Sequence, residues 1–547
     1  MNTVAMVLLF LFAVAVSRVL IRVSPIKFPL PLLQIALGAV LSLVGFNVQL
    51  DPNIFFLIFI PPLLFLDGWR IPKNTLRNDW RPILTLALGL VVFTVIGLGF
   101  LIDAMIPAVP LAVAFAVAAI VSPTDTVAVT AITAGAPAPP RLLNILEGES
   151  LFNDASGLVC FNFAVAAAMT GGFSPGHAAL SFLKIAVGGL ITGAVIAWGA
   201  SAIYRWLSRR IGEEMGTPTL VSILIPFAVY LLAERFGLSG ILAAVAAGIV
   251  VSYVNVTERS SAMARMRRTS IWEMLEVTLN GIIFVLLGEQ LPRILTRAPY
   301  IVQNLGVRSP WMLAVYVVAI MAALAALRLV WTWASFEWEQ LFARLRGKPR
   351  QPPSLWWLLF TALSGVKGAI TLAGILTLPL FLLDGSAFPA RDLAIFLAMG
   401  VILLSLITAS IGLPLIAKRL PAGAVMAAGD EEQAARVAAI EAAIARVLEL
   451  QKQVPEDSAQ AEAAARILAR YRNRLELGGT ADSDAAAHLR EVAQVERKLR
   501  MAALDAERKE VTRLRLTHRI DDPLQRRLIR EIDLEETDLS SGRYDER

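Results

Sequence analysis

Cysteine and histidine are nearly missing from this chain. Cys160 stands alone, and His177, His488 and His518 are the only histidines among 547 residues. One cysteine excludes an internal disulfide framework and a thiolate metal site. The histidines all fall outside the long apolar runs, so no imidazole can carry a proton at the middle of a bilayer. Charge is scarce as well. Asp, Glu, Lys and Arg make up 17% of the chain against 56% hydrophobic residues, and the mean hydropathy is +0.65. That balance excludes an ordinary soluble enzyme and describes a polytopic membrane protein. The net charge of +6 resides in basic loops, and no basic-aromatic module of a nucleic-acid binder accompanies it. No catalytic constellation, nucleotide loop or cofactor motif supports an enzyme.

What the chain does have is a series of apolar runs. A membrane helix needs about 20 mostly apolar residues. Candidate spans begin near Thr3, Pro31, Pro52, Pro82, Leu111, Leu142, Leu180, Pro218, Leu238, Ile271, Trp311, Leu355 and Leu393, about thirteen in all. The first run lacks a basic leader and a small-residue cleavage site, so it reads as a retained span. Cations cluster in alternate loops, beginning with Arg18, Arg22 and Lys27, then Arg70, Lys73, Arg77 and Arg81. The same set continues through Arg141, Arg205, Arg209 and Arg210, then Arg259 to Arg268, then Arg344 to Arg350. The intervening loops are poorer, with Arg235 and Arg391 single and Arg293, Arg297 and Arg308 after the tenth span. By the positive-inside rule the N-terminus is expected outside and the C-terminus in the cytoplasm. After Pro421 the composition turns to Ala, Glu and Arg, with Val437, Ile440, Ile444, Val447 and Leu448 at helical spacing. The expected division is a transmembrane domain over 1–420 and a cytoplasmic helical tail over 421–547. The tail is expected to turn as a hairpin around Gly478-Gly479 and to end in a disordered segment from about Asp533.

The chain is organised around Glu147-Gly148-Glu149-Ser150-Leu151-Phe152-Asn153-Asp154, set inside the apolar run from Leu142 to Met169. A carboxylate at that depth is costly and marks a functional site by default. Glu149 and Asn153 share one helix face, and so do Ser150 and Asp154. Asp154 with Ser150 offers oxygen ligands to a small hard cation, and Asn153 with Glu149 forms a neighbouring polar cluster. The fifth span carries Ser122-Pro123-Thr124-Asp125, where proline removes a donor and disfavours helix before it. Irregular backbone at mid-membrane survives only when buried in protein or lining a polar cavity. The twelfth span carries Ser364-Gly365-Val366-Lys367-Gly368-Ala369, a second expected break. The two breaks lie seven spans apart, the arrangement of inverted repeats with discontinuous helices meeting at the midplane. Asp125 is expected to face half-helix N-termini and Lys367 half-helix C-termini, each compensating a dipole end. The plainer reading of Lys367 is a side chain snorkelling to an interface.

These residues resemble the monovalent cation/proton antiporter-1 family, the sodium/proton exchangers. The likeness rests on Ser122 to Asp125 and on Glu149-Ser150-Leu151-Phe152-Asn153-Asp154-Ala155. It extends to Pro61-Pro62-Leu63-Leu64-Phe65, to Gly281-Ile282-Ile283-Phe284-Val285-Leu286-Leu287-Gly288, and to Ser364 through Ala369. It covers about residues 1–420, and the chain looks most like bacterial exchangers with a cytoplasmic helical tail. The resemblance implies a homodimer, with dimerisation spans 1–3 and 7–10 and a mobile core of spans 4–6 and 11–13 that moves as an elevator. It implies that Asp154 binds the cation or the proton, with Ser150, Thr124 and Asp125 supplying further oxygens to sodium. It also implies that Glu149 pairs with an arginine on the eleventh span, where Arg328 is the one basic residue well inside. The family usually has arginine where this chain has Lys367, and an ammonium does not replace a guanidinium fork. Asp67 follows the Pro-Pro segment near an acid of the relatives and reads either as a pathway residue or as a helix-end partner of Arg70.

A carboxylate loaded either by a proton or by a cation couples the two without further machinery. Taking a carboxyl out of water favours its protonated form, and a nearby cation favours the charged form. Asn153 is uncharged where a second acid would add a proton, so the exchange is expected to be electroneutral, one for one. The rival readings are potassium/proton exchange on the same scaffold, a cation channel, and a membrane-anchored sensor that signals through the tail. Glu147 is expected off the site face, Glu273 and Glu276 at a funnel or a solvated helix end, and Glu289 at the outer interface. Asn255-Val256-Thr257 matches a glycosylation sequon in a loop expected to be cytoplasmic.

Overall fold

In lipid, a chain of Leu, Ile, Val and Ala can satisfy its backbone only within helices or a closed barrel. The computed structural model describes residues 3–24, 28–46, 52–71, 73, 80–133, 139–171, 175–211, 217–257, 262–304, 310–345, 354–420, 423–452, 459–477, 484–517, 519 and 522–541. Over these residues it is helical, apart from connections and one bridge between Phe381 and Ala387. The helices are α1 (Thr3–Val23), α2 (Leu30–Leu43), α3 (Pro52–Arg70), α4 (Trp80–Met105), and a pair α5a (Leu111–Ile120) and α5b (Thr126–Thr133). They continue as α6 (Pro140–Thr170), α7 (Pro175–Ile211), α8 (Thr217–Arg235), α9 (Gly240–Thr257), α10 (Ala262–Asn304) and α11 (Pro310–Leu345). A second pair, α12a (Leu355–Leu363) and α12b (Ala369–Leu376), precedes α13 (Arg391–Ala417). Among the described residues, eight helices are long and apolar enough to cross a membrane.

Two helix crossings are made backbone to backbone by a glycine from each partner. A methyl group on Gly38 of α2 would lie 1.9 Å from the Val285 carbonyl oxygen of α10, and one on Gly288 would lie 1.9 Å from that of Ile35. Likewise, a methyl on Gly68 of α3 would sit 2.4 Å from the Val245 carbonyl of α9, and one on Gly248 would sit 2.1 Å from that of Phe65. Small residues allow such approaches where lipid supplies no hydrophobic drive between helices. The pairings are α2 with α10 and α3 with α9, so shifting each helix number by seven exchanges the two crossings.

Sequence periodicity did not reveal the turn within α4. Thr85–Leu90 is π-helical, a rare local form that often marks functional positions. Two carbonyls of this turn are met from outside: Trp331 Nε1 donates to Thr85 O at 3.1 Å and Ser156 Oγ to Ala87 O at 2.7 Å.

The chain divides into two compact units, Met1–Ala422 and Gly423–Arg547. The second holds α14 (Gly423–Gln451), α15 (Ala459–Leu477), α16 (Asp484–Leu516) and α17 (Asp522–Ser541), with α14 packed on α15 and α16 on α17. The segment from Asp533 was expected to be disordered, and through Ser541 it is helix instead. That segment continues a helix whose earlier turns carry an apolar stripe at Leu524, Leu528 and Ile532. Ile532 is buried, and Arg508 of α16 bonds both Asp533 and Glu536. The expected turn at Gly478-Gly479 lies outside the described residues.

Candidate cation site at the two helix breaks

Both broken helices stop for reasons written in their residues. Helix α5a cannot continue through Pro123, and the run resumes at Thr126. Helix α12a ends at Leu363, before Gly365, and α12b begins at Ala369. The breaks bond one another directly, because Asp125 N donates to Val366 O at 2.7 Å. Lys367 is buried, and its ammonium donates to Ser122 O and Pro123 O, each at 2.9 Å. It therefore sits against carbonyls just beyond the C-terminus of α5a, where the dipole is negative, and does not snorkel to an interface. Its backbone N–H is taken by Ser405 Oγ of α13 at 3.0 Å. Asp125 Oδ1 accepts from Ala128 N at 3.1 Å, in the first turn of α5b. A methyl group on Gly368 would lie 1.8 Å from Asp125 Oδ2, so glycine is what lets the second break reach that carboxylate.

Helix α6 brings the remaining residues against the first break. Ser150 Oγ donates to the Thr124 carbonyl at 2.7 Å. Asn153 Nδ2 donates to Thr124 Oγ1 at 2.8 Å, and Thr124 Oγ1 donates to Glu149 Oε1 at 3.3 Å. Arg328 of α11 closes a fork on Glu149, with Nη1 to Oε1 at 2.5 Å and Nη2 to Oε2 at 2.7 Å. Its Nε donates to the Thr361 carbonyl of α12a at 2.7 Å. Bidentate guanidinium–carboxylate pairs are the strong and geometrically specific ones. The Thr124 side chain therefore belongs to the Glu149 cluster, while its carbonyl is held by Ser150.

Asp154 is different. It is 7% exposed, yet no hydrogen bond or ion pair to its carboxylate occurs among the described residues. It borders a cavity of about 50 Å³ together with Asp125, Ser150, Asp67, Glu276 and Asn280. One water-sized occupant needs roughly 10–15 Å³, so there is room for an ion and a few waters. The polar groups on this wall present oxygen, which suits hard cations. Among the described residues, no three of His, Cys, Asp and Glu gather as a multivalent metal centre.

Asp67 lines this cavity, half-buried on α3, and Arg70 pairs with Glu276 of α10 at 2.6 Å. Sequence reading left Glu276 between funnel and helix end, and did not single out Asn280, Thr361 or Ser405. A backbone carbonyl acceptor and a lone serine carry no pattern that separates them from ordinary span residues. Glu147 is half-buried and Glu273 exposed. Glu289, expected at an interface, is fully buried and paired with Arg293 at 3.4 Å, because the next helical turn supplies its counter-ion. The side chains of the Asn255 sequon lie outside the described residues.

The chain is similar to a protein of Escherichia coli K12 named as an uncharacterized Na(+)/H(+) exchanger, YjcE, at 41% identity over 96% of this chain and 97% of that one. It is 42% identical to a sodium, potassium, lithium and rubidium/H(+) antiporter of Bacillus subtilis, over 76% of this chain and 62% of that longer one. Its fold is similar to the sodium proton antiporter MjNhaP1 of Methanocaldococcus jannaschii, with TM-score 0.56 and 19% identity, over 76% of this chain and 99% of that one. With residues 8–419 matching the family described as sodium/hydrogen exchanger, transmembrane, the chain belongs to that family of multi-pass cation/proton antiporters.

Proposed function

We propose that this protein exchanges sodium for protons, one for one and without net charge movement, by competition at Asp154. The observation that carries the reading is the contrast between two neighbouring carboxylates on one helix. Glu149 is neutralised by a fork from Arg328, whereas Asp154 faces the cavity with no partner among the described residues. A buried carboxylate without a counter-ion must bind something or be protonated. Sodium and proton are alternative answers to the same need. Asp125, Ser150 and the Thr124 carbonyl complete the oxygen set, while Asn153, Glu149, Arg328 and Lys367 hold the breaks in place. Asp67 serves as a pathway carboxylate on the way to Asp154.

The transport cycle is of the elevator type, in a protein of thirteen spans built as inverted repeats, with the two broken helices crossing at the midplane. The reciprocal glycine crossings, exchanged by a shift of seven helices, support the repeat. The bonds between the breaks support their crossing. Helices α4–α6 and α11–α13 form the moving core that carries every residue bonded around Glu149 and Lys367. Helices α1–α3 and α7–α10 form the dimerisation scaffold; core and scaffold together make the transmembrane domain over 1–420, and 421–547 is a cytoplasmic tail. The working form is a homodimer in the bacterial inner membrane, with the N-terminus outside. The deciding experiment is proton flux in proteoliposomes under sodium, lithium or potassium gradients. Asp154→Asn is expected to abolish it, and normal flux by that variant removes the proposal.

A broader cation range is the second reading. It is favoured by the similarity to the Bacillus antiporter named for sodium, potassium, lithium and rubidium. The same flux assay separates the two, since potassium-driven proton movement comparable to that with sodium selects the broader reading.

A further inference from the structure

The π-turn of α4 is joined to both helices that carry the Glu149–Arg328 pair. Ser156 lies two residues beyond Asp154 on α6. Its hydroxyl meets the Ala87 carbonyl of the turn at 2.7 Å and the Asn153 carbonyl of its own helix at 3.0 Å. Trp331 lies about one helical turn beyond Arg328 on α11, and its indole donates to the Thr85 carbonyl at 3.1 Å. Together with the fork from Arg328 to Glu149, these bonds close a triangle of α4, α6 and α11.

The packing joins the same three helices. Leu86 and Leu90 of the π-turn are buried with Ile145 of α6, and Trp331 of α11 packs against them. Gly89 makes room for that indole, since a methyl group there would lie 2.3 Å from Trp331 Cζ2. Gly148 on α6 does the same for Ile83, whose Cδ1 would lie 2.7 Å from an added methyl. A π-turn runs on i→i+5 bonds, so carbonyls at its edge lose their regular i+4 donors. In lipid no water replaces those donors, and a buried carbonyl left alone is costly. Ser156 and Trp331 supply donors from outside.

The cation site needs such ties. Asn153 and Asp154 are neighbours on one helix, so they point about 100° apart. Asn153 reaches Thr124, and Asp154 faces the cavity. A turn of α6 about its axis would take one or the other off target. We infer that the π-turn of α4 fixes the rotation of α6, and that Ser156 and Trp331 are positioning residues for the cation site. This rests on the exchange reading above. Ser156 holds α6 through Ala87, next to the residues that bind. Trp331 holds α11 through Thr85, and with it the arginine that anchors Glu149.

The test is sodium-driven proton flux in proteoliposomes over a range of sodium, normalised to folded protein. Ser156→Ala removes the hydroxyl, and Trp331→Phe removes the indole N–H while keeping an aromatic ring. Each is expected to raise half-saturating sodium about three- to tenfold, the worth of one hydrogen bond, and to keep most of the flux at saturating sodium. In the double variant the rise is expected to fall short of the product of the two, because either loss already frees the turn. A rise equal to that product overturns action through one shared turn. Less folded protein with unchanged half-saturating sodium in both single variants shows ties that only hold the fold, and overturns the positioning role. Unchanged half-saturation with full folding overturns it too, while exchange by the wild-type protein stands. Absence of sodium-driven flux in the wild-type protein overturns exchange, and this inference with it.

Discussion

Arg328 holds both oxygens of Glu149, and this pairing separates Glu149 from Asp154, five residues further along the same buried helix. The first carboxylate is held by a guanidinium that is also tied to the Thr361 carbonyl. The second is left to face the cavity. Two acids within two turns thus have different surroundings, one paired and one facing open space.

Arg328→Ala is expected to leave Glu149 as an uncompensated buried charge, at a cost of about 3–5 kcal/mol. The loss should appear first as reduced folded protein, read by size-exclusion chromatography in detergent. Arg328→Lys is expected to recover little, since a point charge cannot reproduce the fork or reach Thr361 as well. An abundant, monodisperse Arg328→Ala protein with altered ion selectivity shows that the arginine belongs to the cation site.

The competition proposed at Asp154 fixes the direction expected of the pH dependence. The cation needs the deprotonated carboxylate, so binding releases a proton and weakens as pH falls. Across the titration of a single site, half-saturating sodium is expected to rise about tenfold for each unit of acidification, and to level off at higher pH. Isothermal titration in buffers of different ionisation enthalpy measures the released proton. Sodium binding that is equal in acid and alkali, with no proton released, excludes competition.

Gly368→Ala places a methyl group where Asp125 Oδ2 now lies, 1.8 Å from the new carbon. Either Asp125 swings away or the second break withdraws, and overpacking of this kind costs about 1–3 kcal/mol. Exchange is expected to fall well beyond any loss of folded protein. Flux normalised to protein in the membrane checks this, and unchanged flux shows that the contact has no bearing on transport.

Lys367→Met keeps the length of the side chain and removes the donor to Ser122 O and Pro123 O. The carbonyls beyond α5a then have no cation opposite them. Turnover is expected to drop, while Lys367→Arg retains part of it through the same two acceptors. Equal turnover in the methionine and wild-type proteins rules out a role for the ammonium in holding the break.

Where residues break local rules, the sequence was readable. Pro123 beside Asp125, two glycines flanking Lys367, and acids in the run from Leu142 are each costly in a plain apolar helix, and the structure gathers them in one place. What could not be read has no such local cost. The π-turn at Thr85–Leu90 lies in a run as apolar as its neighbours, and its stabilising donors, Ser156 and Trp331, come from distant helices. Glu289 has the composition of an interface residue, and only packing reveals its burial. The end from about Asp533 reads as disordered because charge dominates its composition, whereas the helix that includes it is placed by the spacing of apolar residues nearer its start.

The glycine crossings have a mechanical consequence. At Gly38 with Gly288 and at Gly68 with Gly248, main chain rests on main chain without room for one added carbon. Side-chain contacts can slide by changing rotamer, but touching backbones have no rotamer to change. Within each of these two pairs there is no slack for one helix to slide on the other, so relative displacement in the membrane unit is easier at contacts made by side chains.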